Sequence, residues 1–370
     1  MAMPHTSALD AWVTIAMFEC GSRTAAGREA KILADEFEGE ALVQEVARRV
    51  WTLPGEPERQ IDAARAYAAR ALDETARAGF QLLTLNDAAY PAWLRQIADP
   101  PPVLWVRGHA AVLNEIAVGV VGSRKASGLS LGLGHRLGQE LSDCGVWVVS
   151  GLAYGVDAAA HRGALEGAAG TVAVLGSGLS RTYPKVHAAL ADRIAERGAV
   201  ISELPPSMQS LPHHFPLRNR IISGLSRAVV VVEAAEKSGS LITARMANEQ
   251  GRIVLAVPGT TVSGRHRGCH ALIKDGARLV ETVEDILEEI RWTGGPATGQ
   301  KISSNVLNLS DLEAAMTGQE PQRVDDLAAR MGRSASEILA ELAMLEVAGR
   351  VTRLPGGLFM RPLRMRRADR

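Results

Sequence analysis

Residues 117–155 read AVGVVGSRKASGLSLGLGHRLGQELSDCGVWVVSGLAYG. An apolar run (117–121), a tight turn of Gly122, Ser123 and Arg124, a helix-length segment (129–145) and a second apolar run, VWVVS (146–150), make a strand–helix–strand unit. Strands without polar alternation are covered on both faces, which points to a parallel sheet between helices. The same pattern continues outward. TVAVLGS (171–177), AVISE (199–203), AVVVVEA (228–234) and RIVLAV (252–257) are further strands, with segments such as YPKVHAALADRIAERG (183–198) of helix length between most of them. FQLLTL (80–85) and VLWV (103–106) add strands at the front. The fold class is therefore α/β: an extended, Rossmann-like, doubly wound and mostly parallel sheet over 79–290.

Around this core the texture changes. Residues 1–78 are rich in Ala, Glu and Arg, and ALVQEVARRV (41–50) and IDAARAYAARALDETARAG (61–79) carry apolar residues at helical spacing, so an N-terminal helical module is expected. RWTGGPATGQKISSN (291–305) reads as a polar linker, set at 291–308. Residues 309–370 have the order of a winged helix: VDDLAARMG, then SASEILAELAMLEVAGR, then a hairpin, VTRLPGGLFMR, turning at Pro355, Gly356 and Gly357, and a basic tail. Ile338, Leu342 and Leu345 make the core stripe of the longer helix, whereas Glu337, Glu341 and Glu346 on its outer side would repel phosphates. That favours a protein-contact or accessory role over duplex reading.

Composition excludes several classes. The 370 residues carry 41 basic and 41 acidic side chains, so nucleic acid binding would need local rather than overall charge. Basic pairs occur at Arg124–Lys125, Arg218–Arg220 and Arg265–Arg267. Cys20, Cys144 and Cys269 are scattered, which argues against a disulfide framework and a metal site and fits a reducing cytoplasm. The apolar patch at 11–18 lacks a basic flank and reads as a packed helix face, not a signal peptide, and no run is long enough to span a membrane.

Ligands of open α/β sheets bind beyond the carboxyl ends of the strands. Here those loops are Gly122-Ser123-Arg124 with Lys125, Gly151–Gly155, Gly176-Ser177-Gly178, and Ser238-Gly239-Ser240 opening LITARMANEQ. Small residues let backbone N–H groups approach an anion, and four such loops on one edge point to a phosphate-rich ligand. Neither GxGxxG nor GxxxxGK[ST] is present, so a dinucleotide or Walker-type site is not expected, and no cofactor is implied. In HHFPLRNRIISGLS (213–226), Phe215 offers a stacking face while Arg218, Asn219 and Arg220 offer donors, the combination that holds single strands. The residues alone leave open a structural alternative in which Arg218 and Arg220 pair with Glu203 or Glu233.

The motifs VGSR (121–124), SGLAYGVDAAAH (150–161), LGSGL followed by YP (175–184), SELPP (202–206), FPLRNRIISGLS (215–226), SGSLITAR (238–245), PGT (258–260) and GCHALIKDGA (268–277) fall in order across the central domain. This series resembles the DNA-processing protein A (Smf) family. The resemblance implies a non-enzymatic, dimeric, Rossmann-like domain that binds single-stranded DNA and helps load a RecA-type recombinase during natural transformation. It implies DNA contacts at Ser123, Arg124, Phe215, Arg218, Asn219 and Arg220, to which Gly122, Lys125, Gly151, Ser238, Gly239 and Ser240 of the loops are added. It also implies a homodimer through the end of the central domain, with Leu272, Ile273 and Val280 as candidates. Many members have a lysine just before the Phe-Pro pair; here His213 or His214 stands there. Asp157 and His161 read as structural. The alternative is a nucleotide-binding or nucleotide-hydrolysing protein of the "lonely guy" type; for the hydrolase, Thr243 stands where the catalytic Glu would be, and a hydroxyl cannot do that acid–base work, which leaves a nucleotide sensor without catalysis.

Overall fold

The structure is a computed structural model that describes residues 8–21, 26–51, 53, 55–294, 312, 316, 321–347, 351–354 and 357–360. Residues 295–308 of the linker, the tail 361–370, and Pro355 and Gly356 of the wing turn lie outside the described residues. The chain forms two compact units, 1–299 and 300–370.

Nine strands build one sheet in the first unit: β1 (Gln81–Thr84), β2 (Val103–Gly108), β3 (Ala117–Val121), β4 (Trp147–Ser150), β5 (Thr171–Val174), β6 (Ala199–Ser202), β7 (Ala228–Val231), β8 (Ile253–Ala256) and β9 (Arg278–Leu279). Their order is β1-β2-β6-β5-β4-β3-β7-β8-β9. Pairing from β6 through β9 is parallel, while β1 with β2 and β2 with β6 are antiparallel. The apolar runs are thus central parallel strands, and the two front strands are the antiparallel extension. From β3 the chain winds outward to β4, β5 and β6, then returns to add β7 on the other side. The boundary between β3 and β7 is the topological switch point, where the loops diverge and leave a crevice.

Helices cover both faces. After the N-terminal helices and the single turn α5 (Ala92–Arg95) come α6 (Gly128–Asp143), α7 (Val156–Glu166), α8 (Ala188–Arg197), α9 (His214–Leu225), α10 (Ser240–Glu249), α11 (Arg267–Lys274) and α12 (Val283–Glu289). Helix α6 is rich in glycine, which ordinarily weakens a helix. The reason is its crossing with α7: a Cβ at Gly138 would overlap the carbonyl of Ala160, and one at Gly163 would overlap that of His135. Glycine lets these two backbones touch.

The N-terminal helices α1 (Ala8–Gly21), α2 (Ala26–Leu33), α3 (Gly39–Val50) and α4 (Glu56–Ala78) form as read, yet they are not a unit of their own. Trp12, Ile15, Phe18, Leu42 and Ile61 share one continuous core with Leu104, Trp105 and Ile201 of the sheet. The indole of Trp105 donates to Thr75 Oγ1 at 2.9 Å, and both groups are buried. The expected boundary after residue 78 is therefore a change of texture, not a break in packing.

In the second unit β10 (Gln322–Arg323), α13 (Val324–Met331), α14 (Ala335–Val347), β11 (Thr352–Leu354) and β12 (Leu358–Met360) make a winged helix with strand order β10-β12-β11. Leu327, Ile338, Leu342, Leu345 and Phe359 fill its core. Its acidic face is partly committed internally. Ser334 N donates to the Glu337 carboxylate at 3.0 Å and Glu337 N donates to Ser334 Oγ at 3.3 Å, a capping box, and Arg333 pairs with Glu341 at 2.6 Å.

Candidate functional site

A cleft of about 720 Å³ opens at the switch point. The loop after β3 gives it Gly122, Ser123, Arg124 and Lys125; the loop after β7 and the start of α10 give Lys237, Ser238, Gly239 and Ser240; α9 gives Phe215, Arg218 and Asn219. Arg124, Lys125, Arg218 and Lys237 bring positive charge, and Asp157 is the one carboxylate among the lining residues. The N-terminus of α10 adds its dipole to the same wall. This wall suits an anion.

Glu233, at the end of β7, fixes the loop after β3. Its carbonyl accepts from Ser123 N at 2.7 Å, and its carboxylate accepts from Ser127 N (3.0 Å) and Ser127 Oγ (2.8 Å). Burial pushes this carboxyl up, but the hydrogen bonds from Ser127 and Ser130 outweigh it and hold it below its ordinary value. Arg265 straps the loop from outside, donating to the Lys125 carbonyl at 2.9 Å. The turn is thus set before any ligand arrives.

Arg218 lies at the cleft floor and is almost wholly buried. Its Nη1 donates to the carbonyls of Gly151 (2.6 Å) and Val174, at the ends of β4 and β5. Its Nε has no hydrogen-bond partner among the described residues. A Cβ at Gly151 would overlap the guanidinium, which is why a glycine stands there. Burial pulls the guanidinium down to about 10, still charged at neutral pH, and Asp157 works against that pull. Asp157 itself is raised by burial, with Arg218 and the backbone N–H groups of Ala153 and Gly151 opposing. It accepts from Gly151 N at 3.1 Å and Ala153 N at 3.4 Å, so it ties down the loop after β4. His161 is fully buried between Thr171 Oγ1 (2.7 Å) and Leu152 N (3.3 Å), and burial drops it to about 3. A neutral, enclosed imidazole of this kind is a packing element.

Phe215 stands at the mouth. The Arg124 guanidinium lies over its ring at 5.2 Å, and the Tyr183 ring approaches at 5.6 Å.

Of the twelve residues expected at the site, ten line the cleft: Gly122, Ser123, Arg124, Lys125, Phe215, Arg218, Asn219, Ser238, Gly239 and Ser240. Gly151 sits just behind it, under Arg218. Arg220 departs from the expectation. It points away from the lining and is bound to Glu203 at 2.6 Å and Asp99 at 3.3 Å, the structural alternative that the residues had left open. Two residues apart on α9, the side chains of Arg218 and Arg220 are rotated by about 200° and leave nearly opposite sides of the helix. His214 is buried and accepts from Leu211 N at 3.2 Å, with its basicity lowered by burial, and neither it nor His213 lines the cleft. Lys237 supplies a cation that sequence reasoning missed, although it directly precedes the Ser-Gly-Ser loop. Thr243 does line the cleft, as its placement implied.

Among the dimer candidates, Val280 is fully buried in the second sheet core with Val283 and Ile286, so it cannot face a partner. Leu272 and Ile273 are only half-buried on α11 and pack at the margin of the first core. Among the described residues there is no cluster that could hold a metal, and no helix is long and apolar enough to cross a membrane.

The model of the DNA recombination-mediator protein A family matches residues 81–291, and that of the DprA winged helix domain matches 312–357. Protein Smf of Escherichia coli is 40% identical over 296 residues, 78% of either chain. The X-ray structure of DNA processing protein A from Streptococcus pneumoniae superposes with a TM-score of 0.66 at 34% identity, covering 78% of this chain and 99% of that one. The Helicobacter pylori DNA processing protein A structure, described for its single-stranded DNA binding mode, gives 0.52 at 27% identity over 57% and 96%.

Proposed function

The chain belongs to the DNA recombination-mediator protein A family, and from that premise we propose that it binds single-stranded DNA in the cleft between β3 and β7. The observation that carries this reading is the meeting of Arg124, Lys125, Lys237 and Arg218 with Phe215 in one crevice at the switch point. Phosphates sit against the loop after β3 and the start of α10, where the exposed cations Arg124, Lys125 and Lys237 meet the positive end of the α10 dipole. Phe215 takes the face of a base, and Asn219 offers its amide to a base edge. Arg218 acts from below, fixing the ends of β4 and β5 and adding positive potential. Arg220 acts as a brace for α9 rather than as a phosphate contact.

The role that fits this site is protection of incoming DNA and its delivery to a RecA-type recombinase, in the cytoplasm, by a homodimer joined through α11 at Leu272 and Ile273. The protein works by holding DNA, without catalysis: the one carboxylate lining the cleft, Asp157, is occupied with backbone N–H groups, and Thr243 offers no acid–base group. The Helicobacter pylori relative, described for its single-stranded DNA binding mode, supports the choice of ligand. The test is a mobility-shift titration of single- and double-stranded DNA of one sequence at fixed salt. Tighter binding of the single strand is expected; equal or weaker binding would contradict the proposal.

A further inference from the structure

The loop after β5, which carries LGSGL (175–179) and the Tyr183-Pro184 pair, does not line the cleft, yet it ends beside it. Its first half is buried and pinned: Gly178 N donates to Met208 O at 2.8 Å and Ser180 N to Pro206 O at 2.9 Å. Beyond this anchor the chain emerges, and Tyr183 is 46% exposed. Its ring touches that of Phe215 at a tilt of 49°, so neither ring covers the other's face. Arg181 and Lys185, two residues to either side, are both exposed, and neither forms an ion pair with a described residue. Single exposed aromatics are ordinary. An exposed ring in contact with the cleft's own aromatic, held on a pinned loop and flanked by two open cations, is a different arrangement. It matches the combination of stacking face and backbone charge by which single strands are followed from one nucleotide to the next. Phe215, half-buried and overlain by Arg124, has the less open ring of the two.

We propose that Tyr183 is a second base platform, which carries the strand from Phe215 onto the turn at 181–187, with Arg181 and Lys185 against the flanking phosphates. The proposal rests on the single-strand reading of the cleft. It assigns the loop after β5 a direct part in binding, and it gives the site a direction, away from α10 and toward α8.

The test uses the full chain and end-labelled oligothymidylates of increasing length, up to about twelve nucleotides, within the span that one such site follows. Loss of one stacked base should weaken binding of the longest oligonucleotide by Tyr183→Ala about tenfold. The shortest oligonucleotide that the wild type binds should lose less than about twofold, because it fills the cleft at Phe215 first. Tyr183→Trp, which keeps a ring, should retain wild-type affinity at every length. Arg181→Ala and Lys185→Ala should each flatten the log–log salt dependence by about 0.7 on the long oligonucleotide. Equal affinity of wild type and Tyr183→Ala at all lengths would overturn the proposal. So would an equal loss at all lengths, since Tyr183 would then only prop Phe215. Both of those outcomes leave the cleft reading standing, whereas a wild type that binds none of the oligonucleotides removes the cleft reading and this proposal together.

Discussion

Replacing Arg218 by methionine, which keeps length and loses charge, should destabilise the first unit severely. Two buried carbonyls, of Gly151 and Val174, lose a charged donor. Hydrogen bonds to charged groups contribute about 1.5–3 kcal/mol each. Asp157 also loses the cation that opposes its desolvation. Together these place the cost at about 3–5 kcal/mol, the range for breaking a buried charged cluster by removing one partner. The assay is urea denaturation of wild type and Arg218→Met at pH 7 and pH 5. Asp157 has a folded-state pKa raised above its unfolded value, so its ionised form penalises the fold, and the penalty is relieved as pH falls through that raised value toward the unfolded one. Without Arg218 the pKa rises further, and the gap between the two proteins should narrow at pH 5. A variant as stable as wild type, or a gap that widens in acid, would refute the assignment of Arg218 as the charged keystone beneath the cleft.

Arg220→Ala should cost about 2–4 kcal/mol of stability by leaving Glu203 unpaired, while the salt dependence of DNA binding stays at the wild-type slope; a flatter slope would return Arg220 to the phosphates. His161 is held neutral down to about 3, whereas the unfolded chain takes its proton near 6.5, so its contribution is lost as pH falls through that window. Compared with His161→Gln, wild-type stability should fall about 1.4 kcal/mol more per pH unit there, and parallel pH curves would show that His161 does not titrate on unfolding. Ile273→Glu should sediment as a folded monomer; a folded dimer would move the interface away from α11.

The sheet and its loops were legible because parallel strands must be apolar on both faces and because anion-facing turns need small residues. The runs at 117–121, 146–150 and 228–232 carry the first signal, and Gly122, Ser123 and Ser238–Ser240 carry the second. Helix α1 also signalled its burial through its apolar patch at 11–18, but nothing in it says that the core it enters, built mainly with α3 and α4, is continuous with that of the sheet. Arg220 was not legible for a related reason. Pairing with Glu203 and Asp99 depends on the loop after β6 and the turn after α5 closing over α9, a contact between segments far apart in the chain. Local pattern gives Arg218 and Arg220 the same meaning; their two directions on the helix give them different ones. Val280 was a dimer candidate with Leu272 and Ile273 because the resemblance puts the interface at the end of the domain and all three are apolar, yet Val280 is buried in the core with Val283 and Ile286. Tyr183 was quoted only as part of a motif, because its exposure and its contact with Phe215 exist only once the loop after β5 is anchored to 205–208.

The most direct test of the account is a salt titration of single-strand binding by wild type, Arg124→Ala and Phe215→Ala, each first shown to be folded. Arg124→Ala should weaken binding to all sequences alike and flatten the log–log slope by about 0.7, one phosphate contact on a single strand. Phe215→Ala should lose about 1–3 kcal/mol of stacking with the slope unchanged. If both folded variants bind with wild-type affinity and slope, the cleft between β3 and β7 is not where the DNA lies.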